Sequence, residues 1–180
     1  TEKCQFVTET LGFDAGINHK SENFQAELAS ACPEGIDIYF ENVGGKVFDS
    51  ILPLLNRNSR ITLCGLISQY GNDDPSSGQA IWKKAGEKTF RERDVLVHPL
   101  FVGNFVEDYQ EQFLSDMSGW VKDGLIKYRE DHWRGLEKAP DAFSAMLAGD
   151  NFGKTIVQVS EDSTLDESVD KSAMKELVLG

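Results

Sequence analysis

Residues 37–70 read DIYFENVGGKVFDSILPLLNRNSRITLCGLISQY, and their order decides the fold. The run Ile36-Asp37-Ile38-Tyr39-Phe40 is short and rich in β-branched and aromatic residues, which predicts a strand. It passes through Glu41, Asn42 and Val43 into Gly44-Gly45. Such a pair permits a tight turn and lets backbone approach whatever lies above the sheet edge, because glycine has no side chain to obstruct it. Val47, Phe48, Ile51, Leu52 and Leu55 then recur at helical spacing and predict a helix with a broad apolar face. Arg60-Ile61-Thr62-Leu63-Cys64 predicts the next strand, ending at Gly65. Strands joined by helices of this length need crossovers, so a parallel sheet is predicted. Alone, the diglycine turn is a weak signal, since a strand-to-helix turn with no ligand has the same composition.

N-terminal to this stretch, Cys4, Val7 and Leu11 share a helical face and Gly12 follows where a helix C-terminus favours glycine. Ala15-Gly16-Ile17-Asn18 reads as a short strand, and Ser21 as a cap for a helix carrying Phe24, Leu28 and Cys32 up to Pro33. On the C-terminal side, residues 68–78 are rich in Gly, Asn, Asp, Pro and Ser and predict a loop. Loops at the C-terminal edge of a parallel sheet are where ligands usually bind. A charged helix is predicted up to Arg93, then Val95-Leu96-Val97 leads through Pro99 into a strand at Leu100-Phe101-Val102. Tyr109, Phe113, Met117, Trp120 and Val121 mark the longest amphipathic helix, ending near Gly124, and a stripe of this kind is expected to face a core. A further helix opens at Pro140, turns Phe143, Met146 and Leu147 inward and stops at Gly149, before a strand at Thr155–Val159. Residues 1–160 are expected to form one α/β domain. Residues 161–180, acidic and hydroxyl-rich, are expected to be a mobile tail.

The 180 residues, 40% hydrophobic and 10% aromatic, suffice for one core. A formal net charge of -12 argues against nucleic-acid or anionic-membrane surfaces, which require clustered Lys and Arg. No apolar run approaches the ~20 residues of a membrane span, and no charged-then-apolar leader opens the chain. Cys4, Cys32 and Cys64 are odd in number and widely spaced, which argues for a reducing, cytoplasmic setting. His98 and His132 lack Cys or carboxylate neighbours at ligand spacing, so no zinc or other metal site is expected. The chain opens at Thr1 directly on a helical pattern, from which further upstream sequence is expected.

The stretch from Asp37 to Tyr70, together with GDNFGKTIVQV at 149–159, resembles the cofactor half of the zinc-independent medium-chain dehydrogenase/reductase superfamily. The likeness is greatest to its NADP-dependent prostaglandin, alkenal and curcumin reductases. It implies a Rossmann-type fold with a doubly wound, mostly parallel sheet, truncated at its N-terminal side. The first strand, the glycine-rich turn that cradles pyrophosphate and a barrel-like domain would all precede Thr1. It further implies NADP(H) as cofactor, a small enone or aldehyde as substrate and a homodimer, with this portion inactive by itself.

By position, the resemblance makes Lys3 the residue that contacts the 2'-phosphate of NADP through a charge-assisted bond. His19 stands where the family commonly has tyrosine near the adenosine ribose and phosphate. Asn42 faces the nicotinamide end, and Cys64, Gly65, Leu66, Ile67, Ser68, Gln69 and Tyr70 form a loop over phosphates and ribose. Leu100, Phe101 and Val102 hold the carboxamide through backbone, and Asn151 is a late cofactor contact. Tyr70 is the candidate for chemistry. Phenols ionise near pH ~10, so at neutral pH a tyrosine can donate to an oxygen on which charge grows as hydride reaches the β-carbon of an enone. Positioning of the nicotinamide ribose is the other reading of Tyr70. Alternatives for the whole are a quinone reductase of the same superfamily, or a non-catalytic nucleotide-binding or dimerisation module.

Overall fold

Strands β1 (Ile36–Glu41), β2 (Leu55–Leu63) and β3 (Leu96–Pro99) pair in that order, all parallel. Their register sets Glu41 opposite Leu63 and Leu63 opposite Pro99, so the three strands end in line. In this computed structural model residues 1–71 and 75–161 are described. The chain divides into a unit spanning Thr1–Ser115, which holds this sheet, and a second beginning at Asp116.

Helix α1 (Glu2–Gln5) continues into a π-helical turn, Phe6–Thr10, and Gly12 follows in the left-handed region at φ 75°. Helix α2 (Phe24–Ala31) precedes β1, α3 (Gly45–Ile51) links β1 to β2, and α4 (Pro75–Arg93) links β2 to β3. The core of this unit joins Leu28, Phe48, Ile51, Leu55, Ile61, Leu63, Trp82 and Val95. Phe48 stacks on Trp82 with ring centroids 4.7 Å apart, and Phe90 closes the aromatic group 5.3 Å from Trp82. Aromatic pairs at such separations stabilise by about 0.5–1.5 kcal/mol beyond the area they bury.

Several local expectations are corrected. Leu55 is not helical. Pro53 lacks the N–H that would continue α3, so after a 3-10 turn at Leu52–Leu54 the chain extends, and Leu55 opens β2 as a fully buried strand residue. Ala15–Asn18 forms no strand, because among the described residues no neighbour offers it a ladder. Ser21 does not cap α2; its hydroxyl takes the Asn23 N–H at 3.2 Å and donates to Glu27 at 2.7 Å. The predicted loop at 68–78 is partly helical. Ile67–Gln69 is a 3-10 turn and α4 starts at Pro75, a residue suited to a first helical position; residues 72–74 lie outside the described ones. Leu100–Val102 is not a strand, since the carbonyls of Phe101 and Val102 accept the Asn104 and Phe105 N–H groups that open α5 (Gly103–Lys122).

Helix α5 carries the largest departure. Tyr109, Phe113, Trp120 and Val121 are exposed and Met117 half-buried, although their spacing predicts a core face. Amphipathic spacing marks a face that would gain by burial; it does not supply the partner.

In the second unit β4 (Glu130–Arg134) pairs in parallel with β5 (Lys154–Gln158), and α6 (Ala139–Ala148) is the crossover between them. α6 carries Pro140 in its first turn and ends at Gly149 in the left-handed region. Ala142 is its buried residue, whereas Phe143 and Leu147 are exposed and Met146 half-buried, against the expectation that all three point inward. β4 was not predicted, because Glu-Asp-His-Trp-Arg has no apolar alternation. The expected tail at 161–180 lies beyond the described residues apart from Glu161.

Candidate functional site

Three candidate segments follow the aligned strand ends directly: Asn42–Gly45 after β1, Cys64–Tyr70 after β2 and Leu100–Val102 after β3. The C-terminal edge of a parallel sheet is therefore where most of the expected cofactor residues gather.

The first two segments are laced together through backbone. The Glu41 carbonyl accepts the N–H groups of Cys64 at 2.9 Å and Gly65 at 3.0 Å. Asn42 O accepts from Ile67 N at 3.1 Å and Val43 O from Ser68 N at 3.0 Å. Glycine is required at the turn: Gly44 sits at φ 73°, ψ -161°, a region open essentially to glycine alone. A Cβ there would stand 3.1 Å from a Leu66 methyl carbon and 3.2 Å from Ser68 Oγ.

Beneath the turn lies a carboxylate that the sequence reading passed over. Glu41 is fully buried. Its Oε1 accepts the Val43 N–H at 2.7 Å, the Gly44 N–H at 2.9 Å and the Tyr39 hydroxyl at 3.0 Å. Its Oε2 accepts the Trp82 indole N–H at 3.0 Å. Burial, then the charge of Glu41 and the hydrogen bond to it, hold the Tyr39 phenol far above its ordinary range, so it remains a donor. Sequence alternation would have misplaced this group, since it turns Ile38 and Phe40 inward; in the structure these two are exposed and Glu41 shares the buried side of β1 with Tyr39.

An open cleft of about 370 Å³ is lined by Cys64, Gly65, Leu66, Gln69, Tyr70 and Leu100 among the expected residues, with Leu63, Gly78, Gln79 and Pro99 in addition. Gln79 is a polar lining residue that sequence spacing gave no reason to select. Tyr70 ends the 3-10 turn, its N–H donating to Ile67 O at 3.2 Å, and the residue is 65% exposed. Ile67 and Ser68 are exposed beside it, as is Asn42 on the β1 turn, whereas Phe101 and Val102 project from the start of α5 outside the cleft lining.

Lys3 and His19 belong to neighbouring segments. Gly16 lies so near α1 that a Cβ would stand 2.7 Å from the Cys4 carbonyl oxygen, which brings the 15–19 segment against the helix bearing exposed Lys3. His19 lines a second cavity, about 280 Å³, with Ile17, Phe24, Leu28, Val43 and Val47. Val43 thus contributes a wall there while its carbonyl holds Ser68. Asn151 belongs to the second unit, where its amide donates to Gly153 O at 2.8 Å.

Among the described residues no cluster of three or more His, Cys, Asp or Glu side chains is arranged to hold a metal ion. His98 is exposed on β3, and His132 meets a single carboxylate, Glu130, at 2.8 Å. This donor set does not fit zinc. No described helix is long and apolar enough to cross a membrane.

A parallel sheet with crossover helices and candidate loops along its carboxyl edge is the design of a Rossmann-type nucleotide-binding domain. The sequence profile of a family described as zinc-binding dehydrogenase matches residues 11–157, and the chain belongs to that family. Over 165 residues it is 42% identical to the NADPH-dependent curcumin reductase of Escherichia coli (strain K12), covering 89% of this chain and 46% of that protein. Prostaglandin reductase 1 of Rattus norvegicus is 34% identical over 158 residues, covering 87% and 46%. The crystal structure of CurA in complex with NADPH from Vibrio vulnificus superposes with a TM-score of 0.75 at 44% identity, over 90% of this chain and 48% of that one. The chain spans about half the length of the relatives it matches.

Proposed function

We propose that this chain is the cofactor-binding portion of an NADPH-dependent oxidoreductase that reduces the C=C bond of α,β-unsaturated ketones or aldehydes. The observation that carries the reading is that Asn42, the Cys64–Tyr70 loop and Leu100 follow the ends of three adjacent parallel strands, with Cys64, Gly65, Leu66, Gln69, Tyr70 and Leu100 lining one cleft there. The names of the relatives at 42% and 34% identity support it from a separate direction. The cleft volume lies within the ~300–1,000 Å³ usual for small-molecule sites. The absence of a Cβ at Gly44, where one would crowd Leu66 and Ser68, lets the first two of these loops pack closely.

When bound, NADPH supplies the hydride. Lys3 binds the 2'-phosphate, His19 lies toward the adenosine side, Asn42 faces the nicotinamide end, and the 64–70 loop lies over the phosphates and ribose. Leu100, Phe101 and Val102 offer backbone to the carboxamide, and Asn151 is a further cofactor contact. Tyr70 donates its hydroxyl proton in a hydrogen bond to the substrate carbonyl oxygen and stabilises the charge that develops there. The protein works as a cytoplasmic homodimer, and light scattering on the protein purified from its source would return twice the mass of its own subunit.

Titration with NADPH and NADH and steady-state reduction of a simple enone, both on the protein from its native source, test the proposal together. Tighter binding of NADPH and enone turnover that falls at least tenfold in Tyr70→Phe are the expected results. Turnover of quinones with none of enones would overturn the substrate assignment, and absence of any nucleotide binding by the protein from its native source would overturn the reading as a whole.

A further inference from the structure

We propose that Glu41 is a positioning residue whose buried carboxylate fixes both cofactor loops at once. The inference rests on the cofactor reading above for its functional half only. Burying a carboxylate costs several kcal/mol unless its oxygens are hydrogen bonded, and here four donors converge on two oxygens. Two of the four are backbone N–H groups of the turn itself, Val43 and Gly44. The other two, from Tyr39 and Trp82, anchor the carboxylate to β1 and to the aromatic group formed with Phe48 and Phe90.

The turn in turn sets the second loop. Carbonyls at 41, 42 and 43 accept from Cys64, Gly65, Ile67 and Ser68, so a displacement of the turn reaches the residues that line the cleft. Glu41 touches none of the positions where cofactor or substrate would lie; it acts through the backbone it holds.

Glu41→Gln is the discriminating substitution. It keeps the shape but replaces one acceptor oxygen by an NH₂ group, which must then face either the Trp82 N–H or the turn amides, leaving a buried donor without an acceptor. Amide hydrogen exchange on the cofactor-free chain reads the structural half: exchange at Val43, Gly44, Cys64, Gly65, Ile67 and Ser68 should quicken together, by tenfold or more. Titration of the protein from its native source with NADPH reads the functional half and should show at least tenfold weaker binding in the variant. Val95→Ala, a core substitution that lines neither cavity, serves as control: it should lower the unfolding midpoint while leaving both readouts near wild type. Glu41→Asp should recover part of the protection.

If 64–68 keeps its protection in Glu41→Gln while 43–44 loses it, the coupling is overturned whatever the nucleotide does. If protection is lost jointly but NADPH affinity is unchanged from a wild-type protein that binds it, the positioning role is overturned. A wild-type protein from its native source that binds no nucleotide, with protection lost jointly, defeats the cofactor reading and leaves the structural coupling standing.

Discussion

The β1 turn and helix α5 are both marked in the sequence by apolar patterns, yet the structure treats them in opposite ways. Behind the turn, Phe48, Trp82 and Leu55 are buried and every oxygen of the Glu41 carboxylate is engaged. Along α5, Tyr109, Phe113 and Trp120 stand in solvent. Side chains of similar character therefore stabilise one region and contribute little to the other. Hydrophobic stabilisation belongs to area removed from water, not to the residue type.

The comparison breaks or sharpens under substitution. Phe48→Ala, at 1% exposure, should cost about 3–5 kcal/mol, whereas Phe113→Ala, at 57%, should cost under ~1 kcal/mol. Urea denaturation of the two variants measures both, and equal losses would mean that the α5 face is covered in solution. Gly44→Ala should follow at roughly 1–3 kcal/mol, from its φ of 73° and the crowding at Leu66 and Ser68. An unchanged unfolding midpoint would show that the turn yields more readily than its bonds imply. Lys3→Ala should leave stability alone and weaken NADPH about tenfold, or ~1.4 kcal/mol, without affecting NADH, as isothermal titration with each nucleotide would register. The smallest effect belongs to Asp94→Asn. It removes the exposed 2.7 Å ion pair with Arg57 but suits the backbone φ of 53°, so thermal unfolding should move by less than ~1 kcal/mol.

The parallel strands, the diglycine turn and the helix beginnings at Gly45 and Pro140 were legible because short-range chemistry decides them: β-branched runs, missing Cβ atoms and a proline without an N–H. What stayed hidden depended on neighbours. The Ala15–Asn18 run has strand composition but no ladder. β4 has a ladder without strand composition, its polar sequence held by pairing with β5. For the site, glycines and their flanking loop could be recognised in order, yet no spacing rule predicts that Trp82, forty-one residues from Glu41, supplies the indole donor to it. An acidic residue at the end of an apolar strand looks like the start of a loop until the structure, with Ile38 and Phe40 exposed, shows which way it turns.

Surface loops generally accept inserted residues, which makes them the usual place for length to vary. The pair of loops at this sheet edge should not. Cys64 and Gly65 hold to position 41, Ile67 to 42 and Ser68 to 43, so the two segments advance in step like a short extension of the ladder beyond the strands. One added residue on either side would slip that step, whereas matched changes on both would keep it. Variation in this part of the chain is thereby confined to the identity of side chains, and loop grafting would succeed only by transplanting both segments as a set.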